Sequence, residues 1–257
     1  MTAIFTTSWD DGHPLDLRVA ELLAKYGLPG TFYVPGRGPA QVMDGSAVRS
    51  LSAGFEIGAH TMTHGNLLAM NDEQARSEMA DSKRFVEDLT GRECATFAPP
   101  GGRFRRSHLA LAAAAGFRGL RTVELMNLER PPMRGSLAVL PTTLQVFPHS
   151  PAAYLRNAVK RWRPGNVLTL LAHARGADLP RAAEALVAAA IARGGVFHLW
   201  GHSWEIEERG MWTTLERMFA VMRAERGRYR AATNQELCEE VLRNESVANT
   251  VADPELS

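Results

Sequence analysis

The chain has 257 residues, 45% of them apolar, enough to bury a large core within one domain. Its 29 basic and 28 acidic residues leave a formal net charge of +1, so no global field recruits nucleic acid or an anionic membrane, and neither is expected as a partner. Cys94 and Cys238 stand far apart and in no CxxC arrangement, which speaks against a disulfide framework or a cysteine metal site and fits a reducing compartment. No run of about 18 apolar residues offers an integral membrane segment. The first motif is reached by Asp10, before a signal peptide could fit, so a cytoplasmic protein is expected.

Ile4 to Trp9 reads as a short buried strand that ends in Asp10-Asp11-Gly12, and a helix carrying Leu17, Val19, Leu22 and Leu23 starts from Pro14. Neighbours at a strand end point in different directions, so one carboxylate could bind a metal while the other faces a substrate as a base. The plainer reading of Asp-Asp-Gly is a turn. A second strand, Gly30 to Pro35, closes in the turn Gly36 to Pro39 and is followed by a short helix, Ala47 to Ala53. A third strand, Gly54 to Ala59, runs into His60-Thr61-Met62-Thr63-His64. On one helical turn the HxxxH spacing sets both imidazoles on one side, roughly 5–6 Å apart at Cβ, within reach of one ion. Two histidines and a carboxylate leave positions open for water, a catalytic pattern; a polar loop with two unrelated histidines is the alternative.

Asn71 with Gln74 marks a helix start and Gly91 its end, so Asp72 to Thr90 is expected to be a long charged helix that covers the sheet. Cys94 to Pro99 reads as a fourth strand ending in Pro99-Pro100-Gly101-Gly102, after which Ser107 caps an alanine-rich helix that stops at Gly116. Strands at Leu120 to Leu125 and Val139 to Phe147 flank a Pro/Arg-rich loop from Glu129 to Gly135. Then come helix Ala152 to Arg161, strand Val167 to His173, helix Pro180 to Arg193 and strand Val196 to Trp200. A helix near Thr213 to Arg226, a strand at Tyr229 to Ala232 and a helix from Asn234 complete a domain spanning 1–243, with a polar tail over 244–257 that frays. Strands separated by helices of this length imply parallel βαβ units, and their number predicts an α/β fold of the (β/α)7-8 barrel kind with its active site at the strands' C-terminal ends. Asp10, Asp11, His60, Pro99 to Gly102 and His202 all follow such strands.

The last landmark is Val196-Phe197-His198-Leu199-Trp200-Gly201-His202-Ser203-Trp204-Glu205. Its histidines and tryptophans supply a proton donor and hydrophobic walls. His198 reads as a buried structural residue, His202 as a functional one.

Taken together, these blocks resemble the polysaccharide deacetylase family, the NodB-homology carbohydrate esterases. Asp10-Asp11-Gly12 is similar to its TFDDG block, His60 to His64 to its H(S/T)xxH block, Phe97 to Gly102 to its RxxxPxG-type block and Trp200-Gly201-His202 to its LxH block. The resemblance implies a distorted barrel and a divalent metal, usually zinc (Zn2+), held by Asp11, His60 and His64. It further implies Asp10 as catalytic base, His202 as general acid and Trp200 as a wall of the acyl pocket, with Pro100, Gly101 and Trp204 on the substrate side. Three departures stand out. Phe97-Ala98-Pro99-Pro100 lacks the arginine that holds the base, leaving Arg103, Arg105 or Arg121, of which Arg103 is favoured. Arg121-Thr122-Val123-Glu124 occupies the place of the block whose aspartate orients the acid histidine, and Trp9 replaces a phenylalanine. The expected reaction is removal of acetate from an N-acetylated sugar, an intracellular precursor of a surface glycan, with a glycan or small molecule as substrate. The alternatives are hydrolysis of a non-sugar amide, such as a formamide or cyclic ureide, and a non-catalytic glycan-binding module.

Overall fold

A computed structural model describes residues 1–38, 41–149 and 178–252. The helix at 152–161 and the strand at 167–173 expected from the sequence lie outside these described residues.

Every residue of β1 (Ala3–Trp9) is buried. Its side chains alternate between two environments, as a strand requires. Trp9 packs outward, edge-on against Phe219 with ring centroids 6.0 Å apart. Thr6 and Ser8 face the other way and find polar partners, Asn234 and His198, each at 2.9 Å. Around β1 the described strands form one ten-stranded sheet. β2 (Thr31–Val34), β3 (Glu56–Ala59), β4 (Thr96–Phe97) and β5 (Gly119–Arg121) follow on one side in sequence order, all parallel. Next to β5 lies β7 (Leu137–Leu140), which also pairs with the antiparallel β6 (Met133–Arg134). On the other side β1 pairs with β9 (Val196–Gly201), which pairs with β8 (Leu144–Gln145), while β10 (Tyr229–Ala231) joins the start of β1.

Only Pro141 to Thr143 separates β7 from β8. Thr142 N donates to Glu124 O and Thr143 N to His198 O, both at 2.9 Å, so the chain crosses from the β5 side to the β9 side and brings the two ends of the sheet together. The result is a distorted (β/α) barrel. The single strand expected from Val139 to Phe147 is split because Pro141 has no N–H to continue the ladder.

Helices wrap the outside: α1 (Asp16–Tyr26), α2 (Gly45–Ser52), α3 (Asp72–Thr90), α4 (Arg106–Ala114), α5 (Leu179–Arg193), α6 (Ser203–Glu208), α7 (Trp212–Ala224) and α8 (Asn234–Ala252). α3 starts and stops where expected. Asn71 Oδ1 accepts from Gln74 N at 2.9 Å, Gln74 Oε1 accepts from Asn71 N at 3.0 Å, and Gly91 closes the helix at φ 68°. α4 begins at Arg106, ahead of the expected cap Ser107, and α8 continues past Asn244 to Ala252. Among the described residues no helix is long and apolar enough to cross a membrane.

Replacing Asn71 with Ala removes one half of the capping box and should lower the stability of the domain by about 1 kcal/mol, measured by urea unfolding. An unchanged midpoint would show that the cap is dispensable.

Candidate active site

The period-2 face that carries Thr6 and Ser8 inward continues to Asp10, whose N–H still donates to Gly201 O at 3.1 Å in the β1–β9 ladder. Asp10 is 3% exposed, and both of its oxygens accept from Arg121 Nη2. Arg121, the last residue of β5, is itself fully buried, with its guanidinium lying 5.1 Å from the ring of Tyr33 and 5.0 Å from that of Trp200. Two aromatic faces and a carboxylate thus take the place of water around the cation. The expected base-holding residue, Arg103, is corrected by this geometry: it is exposed, with its side chain alongside Gly101. Gly101, at φ 60°, turns the backbone outward before Arg103 is reached. Pro100 is buried and Gly101 exposed on the rim that follows β4.

At Asp11 the strand ends in a left-handed backbone, φ 78°, followed by Gly12 at φ 60°. That reversal turns the second carboxylate away from Arg121 and toward the histidines. Asp11 Oδ1 lies 2.9 Å from His64 Nε2 and 3.4 Å from His60 Nε2, and Asp11 Oδ2 accepts from the indole N–H of Trp204 at 2.8 Å. Burial works against the charged form of Asp11, but hydrogen bonding to His60 and His64 and the charge of His202 hold its carboxyl well below the usual carboxylate range.

The two histidines do not sit on a helical turn. His60 to His64 is a loop in which Thr61 and His64 are left-handed, at φ 63° and 52°. Glu78, from α3, pins this loop by accepting from the N–H groups of Met62 and Thr63 at 2.8 and 2.9 Å and from Thr63 Oγ1 at 2.8 Å. The α3 helix therefore does more than cover the sheet. His60 Nδ1 is 2.7 Å from Ala98 O, a contact that orients the ring with Nε2 toward Asp11. One donor atom from each of Asp11, His60 and His64 falls within 4.8 Å of the others. Two imidazole nitrogens and one carboxylate oxygen, with outer hydrogen bonds orienting His60 and Asp11, suit a divalent ion with open positions.

His202 follows β9 by one residue. Its Nε2 is 4.0 Å from both Asp10 Oδ2 and Asp11 Oδ2, while Nδ1 is 2.6 Å from Glu205 Oε2. Burial opposes its charge, yet Glu205, Asp10 and Asp11 together raise its pKa above the usual histidine value. Trp200 and Trp204 flank the ring with centroids 5.6 and 5.5 Å away. Trp204 thus meets Asp11 through its N–H and His202 through its ring. His198 lies deeper: its Nδ1 donates to Pro141 O at 3.0 Å and its Nε2 accepts from Ser8 Oγ at 2.9 Å. Burial and the nearby Arg121 push its pKa down to about 3, so it stays neutral inside the barrel.

A third carboxyl group lies behind these two. Asp16, the first residue of α1, is fully buried, with the buried Ser203 hydroxyl beside it. Burial, opposed by Ser203 and reinforced by Asp11 and Asp10, pushes the Asp16 carboxyl well above the usual carboxylate range.

Residues 3–120 match the family model described as polysaccharide deacetylase. A peptidoglycan-N-acetylglucosamine deacetylase of Bacillus cereus is 32% identical over 120 residues, 44% of this chain and 54% of that protein. A peptidoglycan deacetylase of Helicobacter pylori is 30% identical over 101 residues, 39% of this chain and 34% of that protein. These matches span about a third to a half of the relatives' lengths. A crystal structure described as a putative polysaccharide deacetylase from Mycobacterium smegmatis shares the fold at a TM-score of 0.67 and 18% identity, with 95% of this chain and 92% of that one aligned.

Arg121→Ala strands Asp10 as an unpaired buried carboxylate and should cost roughly 3–5 kcal/mol in urea unfolding, whereas Arg103→Ala should stay within about 0.5 kcal/mol of the parent. The reverse order would return the pairing to Arg103. A pH series tests Asp16. Its raised folded pKa means that the folded chain keeps a proton the unfolded chain gives up, so stability is lost as pH rises from near 3.8 toward the folded value, by up to about 1.4 kcal/mol per pH unit. Asp16→Asn should flatten that decline; an identical pH dependence in both proteins would mean that Asp16 is not held neutral.

Proposed function

Since the chain belongs to the polysaccharide deacetylase family, carrying its domain over residues 3–120, we propose that it hydrolyses the N-acetyl group of a sugar, releasing acetate and a free amine. The observation that carries this reading is the division of labour between neighbouring carboxylates. Asp11 meets two histidines, Asp10 meets a buried arginine, and His202 reaches toward both.

A divalent ion held by Asp11, His60 and His64, expected to be zinc, would polarise the substrate carbonyl and acidify the attacking water. Asp10 takes the proton that this water loses as its oxygen bonds to the carbonyl carbon, and Arg121 keeps the carboxylate oriented for that transfer. His202 then gives a proton from Nε2 to the amide nitrogen as the C–N bond breaks, so the sugar leaves as a neutral amine. Trp200 and Trp204, on either side of the His202 ring, form apolar walls beside the reacting group. An intracellular precursor of a surface glycan is the proposed substrate; the free, buried thiols of Cys94 and Cys238 support a reducing, cytoplasmic setting.

The protein should bind one zinc-like ion per chain, measured by elemental analysis, and His60→Ala or His64→Ala should abolish binding. Full occupancy in both variants would remove the metal site. Asp10→Asn should keep the ion while the rate of acetate release from an N-acetylated oligosaccharide falls by about 10²–10⁴. Asp11→Asn should lose both ion and turnover. Equal metal content and equal residual activity in these two variants would refute the division.

A further inference from the structure

A histidine that donates a proton to a leaving group needs that proton on the nitrogen facing the substrate and a ring that does not flip. The structure ties His202 down from behind. Its Nδ1 is 2.6 Å from Glu205 Oε2, and a carboxylate only accepts, so Nδ1 carries a hydrogen whether the ring is charged or neutral. The exchangeable proton is then the one on Nε2, the nitrogen 4.0 Å from Asp10 and Asp11.

The holder is held in turn. Gln145 Nε2 donates to the same Glu205 oxygen at 3.3 Å, and Gln145 Oε1 accepts from His149 Nε2 at 2.7 Å. Both placements follow from local structure. Glu205 lies three residues beyond His202, on the first turn of α6, where i and i+3 side chains meet. Gln145, 6% exposed, sits on β8 opposite Trp200 in the β8–β9 register.

We propose that Glu205, clipped by Gln145, is the positioning residue that fixes the orientation and tautomer of His202, doing so from the acid histidine's own helix. This rests on the deacetylase reading for its kinetic consequence but not for its structural one. Glu205 touches no reacting atom; it acts through His202.

The test uses the full chain loaded with zinc, two substrates and one spectroscopic readout. An N-acetylated oligosaccharide needs its leaving amine protonated, whereas an aryl acetate releases a phenolate unaided. Glu205→Ala should lower kcat on the amide by about 10–100-fold with KM and metal content unchanged, and the aryl acetate rate should fall far less. Glu205→Gln, whose amide oxygen still accepts from Nδ1–H, should recover part of the amide rate. In a His202→Ala background, adding Glu205→Ala should cost nothing further. Equal losses on both substrates, additive losses in the double variant, or loss of the ion would overturn the proposal. Independently of turnover, ¹⁵N NMR of labelled histidine should show neutral His202 as the Nδ1–H tautomer, converting to a mixture in Glu205→Ala. If the parent protein hydrolyses neither substrate, the deacetylase reading fails while this signature still decides the role of Glu205. An Nε2–H tautomer in the parent, or no change in Glu205→Ala, would refute it.

Discussion

Two consecutive carboxylates at the end of a buried strand cannot both be left without partners, because a desolvated charge is costly unless it is paired or hydrogen-bonded. The rest of the rim answers that constraint. Asp10 stays in the strand's alternation and meets Arg121; Asp11, after a left-handed turn, meets His60, His64 and the Trp204 indole. Each partner then brings requirements of its own. Arg121 is buried and needs the faces of Tyr33 and Trp200, and Tyr33 is fixed through its hydroxyl, which accepts from Asn234 Nδ2 at 2.9 Å at the start of α8. The histidine loop needs Glu78 to satisfy its backbone and Ala98 to orient His60.

The family match ends at residue 120, and this boundary cuts through the site. Asp10, Asp11, His60 and His64 lie inside it. Arg121, Trp200, His202 and Glu205 lie beyond it. The half suited to hold an ion belongs to the matched stretch, while most of the groups proposed to orient the base and deliver protons are supplied by residues beyond it. Two contacts characterise this half: Arg121 on β5 meets Asp10, and Glu205, on the helix that starts after His202, meets that histidine.

The order of strands and helices and the motif blocks at strand ends could be read from the residues because they rest on local signals: apolar runs, caps and turn glycines. The partners could not. Arg121 and Asp10 are 111 positions apart, and no local pattern ranks Arg121 above Arg103, which stands nearer to the expected block. What decides between them is burial and the outward turn at Gly101. HxxxH points to two histidines whose rings do come together, but not on a helical turn: left-handed Thr61 and His64 bring them together in a loop pinned from α3. Glu78 itself is one acidic residue among several on a charged helix, with nothing in its spacing to mark it. Glu205, by contrast, left a trace in its i+3 distance from His202, which acquires meaning only once α6 is seen to start there. The split of the strand after Leu140 was signalled by Pro141.

Anomalous diffraction from crystals grown with zinc, collected on both sides of the metal's absorption edge, bears most directly on the division between the two carboxylates. One peak bounded by Asp11 Oδ1, His60 Nε2 and His64 Nε2, with Asp10 still on Arg121 and outside the coordination sphere, is the expected result. A peak that draws in Asp10 as a ligand, or one that forms away from the two histidines, would contradict it.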